Sequence, residues 1–146
     1  MIGVYLSGTG NTKHCIEKLI YLLDETAQAV PIEGKETVRL LSQHEFIVLA
    51  YPVQFSNAPV MVRNFIKDHS ELWKNKRVLC VATMGLFSGD GAGCSARLLK
   101  KCGASIVGGL HICMPDSICD VKLLKRSVEK NREIIKAADR KIEKCA

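Results

Sequence analysis

The six residues Ser7-Gly8-Thr9-Gly10-Asn11-Thr12 follow directly on the apolar run Ile2-Gly3-Val4-Tyr5-Leu6 and lead directly into a helical pattern. Two glycines let the backbone turn tightly and approach a ligand closely. A helix that starts there offers unpaired N–H groups and the positive end of its dipole. The hydroxyls of Ser7, Thr9 and Thr12 add donors, so the segment reads as an anion cradle suited to a terminal phosphate. It holds no Lys or Arg, which leaves backbone and hydroxyl groups to do the binding. The bland reading is a Gly-rich turn before a helix. Two better-known phosphate loops are excluded: the Lys-Ser/Thr pair of G-x-x-x-x-G-K-[ST] is absent, and a dinucleotide G-x-G-x-x-G needs glycine where Lys13 stands.

Outward from this loop, short Val- and Ile-rich runs alternate with helical patterns. The runs are Ile2–Leu6, Ala29–Ile32, Phe46–Ala50, Val78–Thr83 and Ser105–Cys113, nearly continuous as in strands buried on both faces. Between them, Ile16, Leu19, Ile20 and Leu23 keep the i, i+3, i+4, i+7 spacing, as do Ala58, Met61, Val62 and Phe65. Ser95, Leu98, Leu99 and Cys102 continue it, and Val121, Leu124, Val128, Ile135, Ala138 and Ile142 form a last stripe. Glu36 to Ser42 reads as a short helix. Such alternation means a parallel sheet covered on both faces. The expected fold is an α/β three-layer sandwich with a five-stranded parallel sheet of order 2-1-3-4-5, as one domain over residues 1–146. In that order ligands bind where the strand order reverses, so the residues after Leu6, Ala50 and Thr83 are expected to carry the chemistry.

Composition narrows the function. The chain has 146 residues, 47% hydrophobic and 25% charged, which excludes disorder as the default. No run approaches a membrane span, and the short apolar start lacks the basic leader of a signal peptide. A cytoplasmic protein is expected. Seven cysteines without a C-x-x-C pair argue against zinc, a redox dithiol or an iron–sulfur cluster and read as small core residues. His14, His44, His69 and His111 are scattered, with no triad or metal pattern. Trp73 is expected to pack over the edge of the fourth strand. From Val121 to Ala146 nine basic and four acidic residues supply five of the six net positive charges. That segment is either a solvated helix face or a docking face for an acidic partner.

The segment Ser7 to Thr12 matches throughout the pattern T/S-x-T-G-N-T and so resembles the FMN phosphate loop of the flavodoxin family. Two further loops extend the resemblance: Tyr51-Pro52-Val53-Gln54-Phe55-Ser56-Asn57-Ala58-Pro59 and Thr83-Met84-Gly85-Leu86-Phe87-Ser88-Gly89-Asp90-Gly91. With Met114-Pro115-Asp116 they are similar to the flavodoxin half of proteins that also carry a ferredoxin module, although no ferredoxin cysteine pattern stands here. The resemblance implies FMN as cofactor. Ser7, Gly8, Thr9, Gly10, Asn11 and Thr12 would hold its phosphate. Pro52, Val53, Gln54, Phe55, Ser56 and Asn57 would lie on one side of the flavin ring, and Thr83, Met84, Gly85, Phe87, Ser88, Gly89 and Asp90 on the other. A flavin site needs flat apolar walls and backbone groups along the ring edge. Phe55 and Phe87 are expected to supply the walls, with Tyr51 a weaker choice. Asp90 reads equally well as the cap of the next helix.

The resemblance implies an electron-transfer protein, more a carrier than a stand-alone enzyme. Its partner would be a redox protein, an acidic ferredoxin or ferredoxin-like domain being the candidate. Neither nucleic acid nor a membrane is expected as partner, since the basic turn Lys74-Asn75-Lys76-Arg77 lacks aromatic interleaving. The alternatives are an FMN-dependent oxidoreductase acting on a small acceptor such as a quinone, and a cofactor-free interaction module. A response regulator would need Asp where Ala50-Tyr51-Pro52 stands, and a low-molecular-weight phosphatase would need Cys and Arg in the first loop.

Two departures from the family carry consequences. Many flavodoxins place a glycine in the second loop, where a peptide flips toward the reduced flavin; none occurs from Tyr51 to Ala58, and Asn57 is the residue there that best tolerates positive φ. Typical flavodoxins are also acidic, whereas this chain carries a net charge of +6. Nearby negative charge disfavours an anionic reduced flavin. The final reduction is therefore expected at a less negative potential than in an acidic flavodoxin, with the difference shrinking in salt. A redox titration checks this, and an equally low potential refutes it.

Overall fold

The computed structural model describes residues 1–116 and 126–146. Five strands, β1 (Ile2–Tyr5), β2 (Gln28–Pro31), β3 (Phe46–Pro52), β4 (Arg77–Met84) and β5 (Ser105–Cys113), form one sheet. All pairs are parallel and the order is β2-β1-β3-β4-β5, as the alternating pattern predicts. The helices are α1 (Asn11–Leu23), α2 (Thr37–Ser42), α3 (Val60–Asp68), α4 (Gly91–Lys101) and α5 (Val128–Cys145), with a 3₁₀ turn at Ser70–Trp73.

Alternation along β3 divides the core in two. Val48 and Ala50 pack toward α1 and α5, meeting Cys15, Ile16, Leu19, Ile20, Ala138 and Ile142. Ile47, Leu49 and Tyr51 pack on the other face with Leu41, Val62, Ile66, Trp73 and Leu99. The expectation of strands buried on both faces holds for β1, β3 and most of β4. It fails for β2 and β5, which are the sheet edges and bury fewer side chains. β5 also carries one extra residue opposite Val78/Leu79, a bulge.

Two helix readings need correction. Met61 stands off the buried stripe of α3, which is Val62 and Ile66. Val128 is exposed, and α5 buries Ala138 and Ile142 with Ile135 packed beside them; Val121 and Leu124 lie outside the described residues. Trp73 is fully buried, in one core cluster with Val78 and Cys80 of β4. No helix among the described residues is long and apolar enough to cross a membrane.

The cysteines are not uniformly core residues. Cys15 and Cys80 are buried, Cys94 and Cys102 half-buried, and Cys113 and Cys145 exposed, all as free thiols; Cys119 lies outside the described residues. Burial pushes the Cys15 and Cys80 thiols from 9.0 up to about 12. Thiolate is the reactive form. Cys113 and Cys145 are therefore expected to react with a thiol reagent in the native protein while Cys15 and Cys80 react only after denaturation. The folded state favours the neutral thiols, so stability is retained below pH 9.0 and lost as the pH rises from there toward about 12. Counting modified cysteines by mass with and without denaturant checks the first point. Modification of all of them at native rates would refute it.

Candidate functional site

The reversal of strand order between β1 and β3 opens a cavity of about 460 Å³ at the carboxyl ends of β1, β3 and β4. Its volume is in the range of small-molecule sites. It is walled by parts of all three predicted loops. Ser7, Gly8, Thr9, Asn11 and Thr12 line one end; Pro52, Val53 and Gln54 line one side; Thr83, Met84 and Gly85 line the other.

The first loop is built to present donors. Gly10 caps α1 with φ 92°, the left-handed region that favours glycine, and no side chain caps the helix. Among the described residues, the backbone N–H groups of Gly8, Thr9, Gly10, Asn11 and Thr12 have no acceptor. The next one, from Lys13, donates to Ser7 Oγ at 3.2 Å. The first turn of α1 contains no acidic residue, so its positive end is left unscreened toward the cavity. At Gly8 a Cβ would meet nothing within 4 Å, and its φ is not positive. Nothing inside the protein requires glycine there, and the space beside it belongs to whatever enters the cavity.

Three contacts hold the loops in register. Thr12 Oγ1 and Thr83 Oγ1 share a buried hydrogen bond of 2.8 Å that joins α1 to β4. Asn11 Nδ2 donates to the Pro115 carbonyl at 2.9 Å, so this side chain positions the loop after β5. Tyr51 is buried and donates its hydroxyl to the Gly91 carbonyl at 2.8 Å, which ties β3 to the start of α4 and takes Tyr51 off the cavity. The fit there is tight, since a Cβ on Gly91 would lie 2.5 Å from Val53 Cγ2.

The tips of the second and third loops depart from expectation. Phe55, Ser56, Asn57, Phe87, Ser88, Gly89 and Asp90 do not line the cavity, and neither does Gly10. Gln54 and Asn57 exchange two backbone hydrogen bonds of 2.9 Å across a two-residue turn. Phe55 (φ 49°) and Ser56 (φ 59°) both take left-handed backbone there, rather than Asn57. This is the pattern of a type I′ turn, normally filled by Asn and Gly. It leaves Phe55 fully exposed at 103%. Phe87 is 77% exposed. Ser56 and Gly89 touch, since a Cβ on Gly89 would fall 2.4 Å from Ser56 Cβ. Asp90 stands at the cap position of α4 but makes no capping bond. Its carboxylate instead pairs with Arg97 and accepts from Cys94 Sγ, and the Arg97 guanidinium holds it below the usual carboxylate range.

The cavity walls combine residues of the quoted segments with Leu6, Val60 and Met61, which were not among the expected site residues. Leu6, Pro59, Val60 and Met61 join Pro52 and Val53, and Met114, Pro115 and Asp116 close the remaining side. Val60 and Met61 sit in the first turn of α3, turned away from its buried stripe and more than half exposed. Their signal in the sequence was an apolar pair just after Pro59, directly downstream of the second loop. Such an arrangement can take an elongated ligand with an anionic end in the first loop and a flat apolar body between Val60, Met61 and Met84.

Comparison with known proteins agrees with this architecture. The family model described as flavodoxin domain matches residues 2–104. A search of the curated proteins finds no match. Among solved structures, the two-electron reduced flavodoxin of Megasphaera elsdenii is similar, with 24% identity, coverage of 85% of this chain and 95% of that one, and a TM-score of 0.70. The Fusobacterium nucleatum flavodoxin bound to flavin mononucleotide shows 21% identity, coverage of 73% and 68%, and a TM-score of 0.58. A WrbA-like flavodoxin from Agrobacterium tumefaciens shows 15% identity, coverage of 94% and 97%, and a TM-score of 0.65. At these identities the structural likeness establishes the fold.

Proposed function

The chain belongs to the flavodoxin family, and on that basis we propose that it holds one FMN non-covalently in the cavity and serves as an electron carrier. The observation that carries this reading is the row of unpartnered backbone N–H groups from Gly8 to Thr12 around a glycine that the fold itself does not need. A phosphate is the ligand such a row fits. Its oxygens accept hydrogen bonds, and its charge is met by the unscreened end of α1 with no cationic side chain required.

Ser7, Thr9 and the backbone of Gly8 to Thr12 would hold the phosphate. Pro52, Val53, Val60, Met61 and Met84 would enclose the ring, and backbone groups beside Gln54 and Gly85 would meet its polar edge. When bound, FMN supplies the electron-accepting and electron-donating chemistry. The chain's own part is to orient it and to limit water at one face. The hydrogen bond between Thr12 and Thr83 keeps the phosphate end and the ring end at a fixed separation. Among the described residues that line the cavity, only Asp116 carries a charge, and none is a histidine or cysteine.

The test is a visible spectrum after adding FMN and removing the excess. The expected result is a retained flavin spectrum at one FMN per chain with quenched flavin fluorescence. Stepwise reduction in the same cuvette then separates one-electron from two-electron behaviour. A chain that keeps its circular dichroism but retains no flavin refutes the reading and favours a cofactor-free interaction module.

A further inference from the structure

Of the charged side chains of α5, two acids pair with α1 while the basic ones stay exposed. His14 Nε2 lies 2.8 Å from Asp139, and Lys18 Nζ lies 3.6 Å from Asp139 and 2.8 Å from Glu143, so two of the four acids of α5 are taken up by α1. Arg126, Lys130, Arg132, Lys136, Arg140, Lys141 and Lys144 have no ion pair among the described residues, and all are exposed. Only Glu129 and Glu133 oppose them, and Glu129 is held by the Ser127 hydroxyl at the helix start. Arg126, Lys130 and Arg140 line a shallow depression together with Glu133, Ile134 and Ala137.

The same ion pairs fix how α5 sits. Residue 14 is level with 139, and 18 with 139 and 143, so the two helices run in the same direction. α1 begins three residues before His14 and α5 begins eleven before Asp139. At 1.5 Å per residue, α5 reaches about 12 Å past the start of α1, toward the end of the molecule where the cavity opens. At that end the loop tips expose Phe55, Leu86 and Phe87.

We propose that the outer face of α5 is the landing surface for an acidic redox protein, which it steers to the cavity end. Apolar tips flanked by a charged rim are the composition of a protein interface. The absence of any aromatic residue on α5 and the presence of Glu129 and Glu133 on its outer side disfavour a nucleic-acid surface. The redox nature of the partner rests on the FMN reading above; the surface and its acidic counterpart do not.

An acidic [2Fe–2S] ferredoxin is the probe, and its binding to the full chain is measured by calorimetry with and without FMN. Raising salt from about 0.01 M to about 1 M cuts the Debye length from about 30 Å to about 3 Å and is expected to weaken binding at least tenfold. The triple variant Arg126→Glu, Lys130→Glu, Arg140→Glu is expected to lose roughly 10- to 100-fold in affinity at low salt, together with most of the salt dependence. The variant Arg126→Gln, Lys130→Gln, Arg140→Gln falls between, which guards against a folding artefact of reversal. In the FMN-loaded chain the rate of electron transfer from the reduced ferredoxin should fall in parallel. Affinity indifferent to both salt and reversal overturns the proposal. So does tighter, reversal-sensitive binding to duplex DNA or to anionic vesicles. A chain that retains no FMN yet binds the ferredoxin with this salt dependence supports the surface and refutes only the cofactor reading.

Discussion

Replacing Gly8 with Asp is expected to weaken FMN binding about a thousandfold while leaving the fold intact. Gly8 lines the cavity, is exposed, has no left-handed φ, and leaves open space around a Cβ. A side chain there therefore strains nothing, and reducing the freedom of the unfolded chain at a former glycine stabilises slightly, by about 0.4–1 kcal/mol. The bound group carries a charge of about −1.5 to −2 on its phosphate. A carboxylate at about 4 Å from one such charge costs roughly 4 kcal/mol at an effective dielectric constant of 20. That corresponds to a loss of about a thousandfold in affinity. Among the described residues, no Lys or Arg lines the cavity to offset it. Gly8→Asn is the control, since it adds the same volume without charge and should cost far less. Fluorescence titration with FMN reads the affinity and thermal denaturation reads the fold. Equal losses for Asp and Asn would mean that shape rather than charge governs the loop, and no loss in either would remove the phosphate from it.

Trp73→Ala is expected to be the most damaging core substitution in stability. Trp73 is fully buried in the 3₁₀ turn before β4, edge-on to Phe65 with ring centroids 6.2 Å apart. Truncation of such a side chain costs about 3–5 kcal/mol. For a domain of this size that lowers Tm by roughly 10–15 °C. Trp73→Phe should be much milder. Trp73 Nε1 is buried without an acceptor among the described residues, and leaving a polar group in that state costs about 1–3 kcal/mol. Phe removes that cost together with part of the packing, for a net loss of under about 2 kcal/mol. Because neither variant contains tryptophan, circular dichroism is the measurement for both. A Phe variant as unstable as the Ala variant would show that the indole N–H is in fact satisfied.

Much of this molecule was readable before folding was considered. Strand and helix order follow from runs of Val and Ile alternating with 3.6-residue periodicity, which is local information. The parallel order β2-β1-β3-β4-β5 then follows from crossover connections, and the cavity from the reversal between β1 and β3. The loop from Ser7 to Thr12 was legible because turn chemistry and helix start are set by adjacent residues.

What local pattern could not supply is direction. Met61 and Val62 are neighbours about 100° apart on a helix, and hydropathy alone does not say which of them faces the sheet and which the cavity. Phe55 was expected on a cavity wall, yet a two-residue turn with left-handed backbone carries it into solvent, a conformation no propensity assigns to Phe-Ser. Edge and centre strands differ only by what lies beside them, so the exposure of β2 and β5 appears only once the sheet is assembled. The same holds for α5: its excess of Lys and Arg was plain in the sequence, but only packing against α1 pairs Asp139 and Glu143 with His14 and Lys18 and leaves Glu129 and Glu133 as the acids among the exposed basic residues. Composition and periodicity fixed the scaffold and the anion cradle, because those depend on neighbours in the chain. The cavity walls and the charged face depend on neighbours in space, and tertiary structure decided them.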